Sequence, residues 1–182
     1  MKRSFTRIFC TLLSCLLLVG FLAGGVVAMA EDAATGQCGQ NLTWRYDPET
    51  GVLTIEGEGN MWDYDSLKLM PWFQYAGNIK KIVLSNGVTS IGKNAFACCA
   101  VEEVEFPETL KTIGARAFYQ CEKLTKVDLS KTQVTTVAQE AFSGCKDLKT
   151  EEVKLPETAK SVAGNAFEKA VVKPVQAPAP VQ

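Results

Sequence analysis

The residues that could do chemistry in this chain are cysteines and carboxylates, because none of its 182 residues is histidine. The sequence therefore lacks the commonest general base, and it lacks the Ser-His and Cys-His pairs that activate nucleophiles. Beyond residue 30 the cysteines are Cys38, Cys98, Cys99, Cys121 and Cys145. Their odd number predicts at least one thiol that is free or bridged to another molecule. A zinc site without histidine needs four converging thiolates, which this spacing does not supply, so no metal and no other cofactor is predicted.

Two clusters between residues 56 and 75 could bind a ligand. Asp63 and Asp65, with two glutamates upstream, could offer oxygen atoms to calcium, but the complete loop pattern of a calcium hand is missing. We interpret that stretch as a polar turn. Five nearby aromatic residues could stack on sugar rings or pack over one end of the fold: Trp62, Tyr64, Trp72, Phe73 and Tyr75. Carbohydrate binding through them is the alternative to the function predicted below.

Residues 1–30 are predicted to be a signal peptide for export. Three basic residues precede an apolar run over residues 8–27, and Ala28-Met29-Ala30 offers small residues for cleavage. The run is also long enough to span a bilayer, so an uncleaved segment is the one membrane anchor predicted; Leu13-Ser14-Cys15 resembles a lipoprotein box more weakly. Cleavage would remove three of the 19 basic residues and leave 16 against 20 acidic ones. Such a mildly acidic chain lacks the basic patches that nucleic-acid binding requires.

The elements that must position these residues are set by an internal repeat. The dipeptide Ala-Phe recurs with spacings of 22, 24 and 25 residues, at Ala95-Phe96, Ala117-Phe118, Ala141-Phe142 and Ala166-Phe167. Apolar positions recur around it, so that Ile82, Leu84, Ile91 and Cys99 of the first unit match Val104, Phe106, Ile113 and Cys121 of the second. A period in the twenties is typical of leucine-rich repeats.

Each repeat unit is predicted to form one short strand followed by one short helical segment. The Val-x-Leu type positions alternate as a strand does, whereas residues 91–99 have the spacing of a helical turn. One unit alone cannot bury both faces, so the units are expected to stack like residue on like residue. The fold class predicted is an α/β solenoid, a right-handed coil of about four repeats, with a phenylalanine spine and a cysteine ladder that ends at Ala170. Buried thiols are favoured, although disulfides between neighbouring ladder positions are geometrically allowed.

The repeats over residues 78–170 are flanked by two segments of different composition. Residues 42–46 and 52–55 alternate in polarity around the turn sequence Asp47-Pro48-Glu49-Thr50-Gly51, which predicts a β-hairpin. Residues 31–77 are therefore expected to form an N-terminal β-hairpin cap over the open end of the solenoid. Residues 171–182 are rich in proline, alanine and glutamine, which predicts a disordered, extended tail.

The repeats resemble the BspA-like leucine-rich repeats of bacterial surface proteins, whose units carry the pattern I-G-x-x-A-F-x-x-C-x-x-L. Ile91-Gly92 and Ile113-Gly114 match it together with the Ala-Phe and cysteine positions. The third unit departs with Val137-Ala138, and the fourth with Val162-Ala163 and Ala170. The resemblance covers roughly residues 38 to 170 and implies a non-catalytic protein, secreted or on the extracellular cell surface, that acts in adhesion and protein–protein interaction.

The surface predicted to bind a partner is the concave face of the strands. Registering the units places two columns there: Lys81, Glu103, Lys126 and Glu152 in one, and Val83, Glu105, Asp128 and Lys154 in the other. Glu105 beside Asp128 is a like-charge pair that costs stability unless a cation relieves it, and Lys126 or Lys154 could do so. The expected partner is an extracellular protein, such as a host surface or matrix protein, with a glycan as the alternative.

Overall fold

The computed structural model describes residues 33–168. The predicted signal peptide, residues 1–30, and the predicted tail, residues 171–182, lie outside the described residues. Within residues 33–168, no helix has the length and apolar character needed to cross a membrane.

The described chain begins with three antiparallel strands, β1 (Ala34–Gln37), β2 (Leu42–Asp47) and β3 (Val52–Gly57). The β2–β3 hairpin closes through the Asp47 carboxylate, which accepts hydrogen bonds from the backbone N–H groups of Glu49 at 2.9 Å and Thr50 at 3.3 Å. Gly51 completes the turn with a φ of 71°, a conformation that favours glycine. Along β2, every second side chain is buried, because a strand with one face on the core alternates in this way.

Beyond the hairpin the chain coils into a β-solenoid of about four turns, each of which contributes one strand on the front side and one strand to a back sheet. The front strands of the repeats are β5 (Lys81–Leu84), β7 (Glu103–Glu105), β9 (Val127–Asp128) and β11 (Val153–Lys154). The back strands are β4 (Gly59–Asn60), β6 (Val88–Ile91), β8 (Thr112–Ile113), β10 (Thr136–Val137) and β12 (Ser161–Val162). All strand pairs among β3–β12 are parallel, as stacked turns of a coil require.

The hairpin does not sit on the solenoid as a separate lid. Strand β3 pairs in parallel with β5, so the front sheet runs continuously in the order β1-β2-β3-β5-β7. The cap is therefore joined to the repeats by backbone hydrogen bonds, and its outward side chains belong to the same face as those of the first two repeats.

The segment of each repeat that was expected to be helical is a series of tight turns. In the first unit, the N–H groups of Ala95, Ala97 and Cys99 each bond to the carbonyl three residues earlier, at 3.2–3.3 Å. Left-handed residues interrupt the turn segments of the first three repeats, so no helix can propagate there. They are Asn94, Cys98, Arg116, Gln120, Glu140 and Gly144, with φ between 55 and 79°. In the described residues the only helical elements are the 3₁₀ turns Leu67–Leu69, Phe73–Tyr75 and Thr150–Glu152.

The turn segments are also hydrogen-bonded to each other from repeat to repeat. Asn94, Phe96 and Cys98 donate their N–H groups to the carbonyls of Ala115, Ala117 and Tyr119, at 3.0, 2.8 and 2.7 Å. The bonds recur one repeat later and join Phe118 to Ala141 at 2.7 Å. Each repeat thus donates N–H groups towards the C-terminal end and offers carbonyls towards the N-terminal end.

The core is the predicted column of phenylalanines. Phe96, Phe118 and Phe142 are fully buried, and neighbouring rings lie 5.1–5.2 Å apart. Phe167 extends the stack at 5.0 Å from Phe142. At the other end Trp72 stacks on Phe96 at 5.3 Å. Because Phe96, Phe118 and Phe142 each touch one ring above and one below, these repeats are stabilised mainly by their neighbours.

Candidate functional site

The eight residues predicted for the binding surface, hereafter the strand face, lie on or next to the front strands. Lys81 pairs with Glu103, and Val83 with Glu105, across β5 and β7. Lys154 pairs with Asp128 across β11 and β9. These pairings place equivalent residues of neighbouring repeats side by side at the inter-strand distance. Burial alternates along β5, so Lys81 and Val83 face away from the core.

The first half of the strand face consists of the residues on β5 and β7, and its ion pairs centre on Lys81. Its ammonium lies 2.5 Å from the Glu105 carboxylate and 3.5 Å from that of Glu103. The hydrogen bond to Glu105, reinforced by the charges of Glu105 and Glu103, raises the pKa of Lys81. One cation therefore serves two acids, which leaves this half with a net negative charge.

The second half consists of the residues on or next to β9 and β11, namely Lys126, Asp128, Glu152 and Lys154, and its ion pairs centre on Asp128. Its carboxylate accepts hydrogen bonds from the Ser130 hydroxyl at 2.6 Å and the Ser130 N–H at 3.2 Å. Lys154 and Lys126 lie 3.6 and 3.9 Å from it. The Ser130 hydroxyl contributes most to lowering the pKa of Asp128, and the two lysines lower it further. Here two cations surround one acid, so the cluster of Asp128, Lys126 and Lys154 carries a net positive charge, while Glu152 brings the four residues of this half to neutrality.

The two halves belong to different sheets. The front sheet ends at β7, and β9 pairs only with β11 within the described residues, so the predicted columns do not run unbroken across four repeats. Residues 100–103 separate Cys99 from Val104, whereas residues 122–126 separate Cys121 from Val127, one residue more. Between the two sheets, the Thr125 N–H and hydroxyl make long contacts to the Glu102 carbonyl, each at 3.4 Å.

Because of this break, Glu105 and Asp128 are not the adjacent like-charge pair that the sequence predicted. They are not ladder partners, and each has its own lysines, so the like-charge repulsion considered from the sequence is relieved on both sides. At the far end of the other column, Glu152 lies in a 3₁₀ turn rather than in a strand, and Lys126 immediately precedes β9. The strand face is thus two charge clusters of opposite balance rather than a single acidic pair.

Sequence reasoning missed that the hairpin enlarges the strand face. Arg45 of β2 pairs with Thr54 of β3, and Thr54 pairs with Val83 of β5, so one row runs across the sheet from Arg45 to Glu105. Arg45 is exposed and Thr54 is half-buried. The alternation of residues 42–46 and 52–55 contained this information, but the parallel pairing of β3 with β5 was needed to place it.

The aromatic residues proposed for sugar binding divide into buried and exposed groups. Trp72 is fully buried, and its indole N–H donates to the Ala95 carbonyl at 2.9 Å. Tyr64 is buried against Trp72, and Tyr75 stacks on Tyr46 with the ring centroids 4.6 Å apart. Trp62 and Phe73, 46% and 42% exposed, are the members of the group that present a large part of a ring to solvent.

All five cysteines of the described residues carry free thiols. The Cys121 thiol donates to the Phe96 carbonyl at 3.1 Å, and the Cys145 thiol donates to the Phe118 carbonyl at 3.3 Å. Burial raises the pKa of Cys38, Cys99 and Cys145 to about 12. Cys98 is the exposed member. Its pKa is raised as well, first by partial desolvation and then by the charge of Glu122.

The acidic residues of the polar turn have partners within the fold. The Asp63 carboxylate accepts the Lys93 N–H at 2.7 Å, and the Asp65 carboxylate lies 3.0 Å from the Lys93 ammonium. Over residues 33–168 no group of three or more cysteine and acidic side chains is placed to hold a metal ion. The polar turn therefore fastens the cap to the first repeat.

The geometry defines a leucine-rich-repeat type of β-solenoid. The family model described as a BspA type leucine rich repeat region matches residues 71–182 in six copies. Because that match covers more than half of the sequence, the chain belongs to the BspA-type leucine-rich-repeat family. A comparison with curated proteins gives no significant match.

Three solved structures are similar to this chain. A leucine-rich repeat protein from Eubacterium ventriosum is 18% identical, with 74% of this chain and 45% of that chain covered and a TM-score of 0.49. The leucine rich repeat protein of T. pallidum is 20% identical, covering 71% and 65%, with a TM-score of 0.48. A leucine rich cell surface protein from Faecalibacterium prausnitzii is 19% identical, covering 79% and 54%, with a TM-score of 0.40. The chain spans less than two thirds of the length of each.

Proposed function

We propose that this protein is a secreted or surface-displayed interaction module that binds an extracellular protein through the strand face. The repeat family suggests a protein-interaction module, and solenoids of this kind are typically non-catalytic scaffolds for extended binding surfaces. The observation that carries the proposal is that a net negative cluster around Lys81 and a net positive cluster around Asp128 lie on successive front strands of the same solenoid. A bipolar surface of this kind selects partners by charge complementarity.

The charged groups on this face are suited to association rather than to tight anchoring. Glu103, Glu105, Lys126 and Lys154 all have side chains at least half exposed. Exposed ion pairs contribute little to stability, so these side chains can exchange internal partners for those of a ligand at low cost. Mutations in such charges change the association rate and its salt dependence most. A single module of this size is expected to bind weakly and to gain strength through several copies at a surface.

The test is binding of the purified protein to a panel of purified extracellular matrix glycoproteins, each in native and enzymatically deglycosylated form. The variant is Glu105→Gln with Lys154→Gln, which removes one charge from each cluster, and the matched control is Glu108→Gln with Lys160→Gln, which removes the same charges from exposed positions outside the strand face. At low salt, the strand-face variant should associate more slowly with a bound glycoprotein and show a weaker salt dependence, while the control behaves as the parent protein. Equal association rates for the two variants would refute the proposal.

The second candidate function, carbohydrate binding, draws on the exposure of Trp62 and Phe73. It makes the opposite prediction in the same assay. Deglycosylation of the panel would abolish capture, and Trp62→Ala would abolish it too, because ring stacking on a sugar needs an exposed aromatic face. Under the leading proposal, Trp62→Ala leaves capture of the deglycosylated proteins unchanged.

A further inference from the structure

A cleft of about 430 Å³ lies where the hairpin turn meets the loops that lead into the front strands. Each successive level of the chain contributes one charged residue to its lining: Glu49 of the hairpin turn, Lys80 of the first repeat, Glu102 of the second and Lys123 of the third. The cleft shares no residue with the strand face. Its volume lies in the range of about 300–1,000 Å³ that is usual for small-ligand sites.

The cleft is open because the first two repeats carry small residues here. A Cβ built on Gly77 would meet no atom within 4 Å. Ala100 precedes the buried Val101, at the place where the next repeat has Lys123 before the buried Leu124. The lysine of the third repeat therefore stands at the end of a space that the two earlier repeats leave free.

The four charged residues of the cleft are exposed, and none forms an ion pair within residues 33–168. Lys80 and Glu102 lie at equivalent positions of neighbouring repeats, and the Glu102 N–H donates to the Lys80 carbonyl at 2.8 Å. Opposite charges on adjacent strands usually pair, as Lys81 and Glu103 do one residue further on. The charged groups around the cleft are therefore free to bind a ligand.

Tyr46 supplies a second, independent observation. Its side chain is 2% exposed and stacks on Tyr75, yet it lines the cleft. Its hydroxyl reaches solvent and makes no hydrogen bond to another of the described residues, although buried polar side chains usually have a partner. Burial, and then the charge of Asp47, raises the pKa of Tyr46, so the hydroxyl keeps its proton. A donor held at the mouth of a cleft by an otherwise buried ring indicates a ligand with an acceptor atom.

The length and charge of the cleft define the ligand. From the hairpin turn to the third repeat it crosses three inter-strand spacings, or about 14 Å. An extended peptide covers that distance with about four residues. The end at Glu49 is acidic and the end at Lys123 is basic. Sugar stacking is disfavoured here, because the Tyr46 ring is buried against Tyr75 and offers no free face.

We propose that this cleft binds a peptide of about four residues with free termini. Glu49 binds the terminal ammonium, Lys123 binds the terminal carboxylate, and the Tyr46 hydroxyl donates to a peptide carbonyl between them. Lys80 and Glu102, in the middle of the cleft, select polar side chains of the peptide. The site is independent of the protein ligand proposed for the strand face.

The test is titration of the ¹⁵N-labelled protein with a synthetic tetrapeptide library, followed through the backbone amide signals of Lys80, Ala100 and Glu102. The library is used with free termini, with acetylated amino termini and with amidated carboxyl termini. The free library should shift these signals, and each blocked library should bind about threefold more weakly, since each loses one exposed ion pair. Glu49→Gln should weaken the free library by the same factor but should not weaken the acetylated one further. Lys123→Gln should have the same relation to the amidated library.

Tyr46→Phe removes only the hydroxyl and should weaken binding of the free library about three- to tenfold. Because the hydroxyl has no partner among the described residues, this variant should melt as the parent protein does. The matched controls are Tyr119→Phe and Lys111→Gln, which make the same changes outside the cleft. The strand-face variant Glu105→Gln with Lys154→Gln should also bind the free library unchanged, so failure of one proposal is distinguishable from failure of the other.

Three outcomes overturn the assignment. The first is a free library that leaves the amide signals of Lys80, Ala100 and Glu102 unshifted. The second is equal affinity for the free, acetylated and amidated libraries, because the termini would then not be recognised. The third is a shift of the same signals by chitotetraose that exceeds the shift by the peptides, which would assign the cleft to a carbohydrate.

Discussion

Replacement of Phe118 by alanine tests the central packing of the solenoid. Phe118 is fully buried and lies 5.2 Å from Phe96, 5.1 Å from Phe142 and 5.9 Å from Phe106. Truncation of a buried phenylalanine typically costs about 3–5 kcal/mol. Three aromatic partners, each contributing about 0.5–1.5 kcal/mol beyond burial, place this site in the upper half of that range. We expect a loss of about 4–5 kcal/mol, because the cavity is flanked by two repeats that cannot both collapse into it.

The measurement is urea denaturation followed by circular dichroism, with a thermal melt beside it. A loss of this size should lower the melting temperature by about 10–20 °C. Phe73→Ala is the matched control, since Phe73 is 42% exposed, and it should change stability by no more than about 0.5 kcal/mol. Phe167→Ala should lie between the two, because Phe167 is only half-buried and stacks on Phe142 alone among the described residues.

Two results would refute this reasoning. If Phe118→Ala cost no more than Phe73→Ala, the phenylalanine column would not be the core. If Phe167→Ala cost as much as Phe118→Ala, stacking on both sides would not be the source of the loss.

Three further predictions concern the cap, a glycine and the exposed thiol. Trp72→Phe keeps a ring on Phe96 but leaves the buried Ala95 carbonyl without its donor, so denaturation should report a loss of about 1–3 kcal/mol, compared with almost none for Trp62→Phe. Gly92→Ala would put a Cβ 1.9 Å from the Trp62 carbonyl oxygen and should lower the melting temperature, whereas Gly164→Ala meets no atom within 4 Å and should not; equal melts would contradict the close approach. Of the five cysteines among residues 33–168, iodoacetamide should modify Cys98 alone in the folded protein. Desolvation raises the pKa of Cys98 most and the charge of Glu122 raises it further, so Glu122→Gln should raise the thiolate fraction and speed the reaction at neutral pH, and an unchanged rate would exclude the contribution of Glu122.

The sequence was sufficient to predict the repeat, the phenylalanine column and the hairpin, because each depends on spacings that recur in phase. It was misleading for the turn segments. Residues 91–99 place apolar side chains three and four apart, which a helix does, but so do consecutive tight turns interrupted by left-handed residues. Asparagine adopts the left-handed conformation more readily than most residues, so Asn94 is consistent with it, but Arg116 and Glu140 are residue types that rarely do. Residue type alone therefore could not distinguish a helix from a series of tight turns.

The candidate site was predictable in register but not in continuity. The pairs of Lys81 with Glu103 and of Asp128 with Lys154 follow from aligning the repeats, and the structure has both. One extra residue before Val127 coincides with the break in the front sheet, but two more before Val153 do not interrupt the pairing of β9 with β11, so repeat length does not predict where the ladder breaks. The reach of Lys81 to two acids likewise depends on a rotamer that no spacing specifies.

The direction of the turn ladder explains why the two ends of the solenoid need different caps. Each turn segment donates N–H groups to the next repeat and presents carbonyls to the previous one, as the bonds from Phe96 to Ala117 and from Phe118 to Ala141 illustrate. The first repeat therefore presents unpaired carbonyls, and a cap there must supply donors. The indole N–H of Trp72 and the backbone N–H of Tyr64, bonded to Ala95 and Lys93 at 2.9 Å each, do so. The last described repeat presents N–H groups instead, so a copy of the N-terminal cap could not close that end, where a cap would need acceptors and apolar side chains.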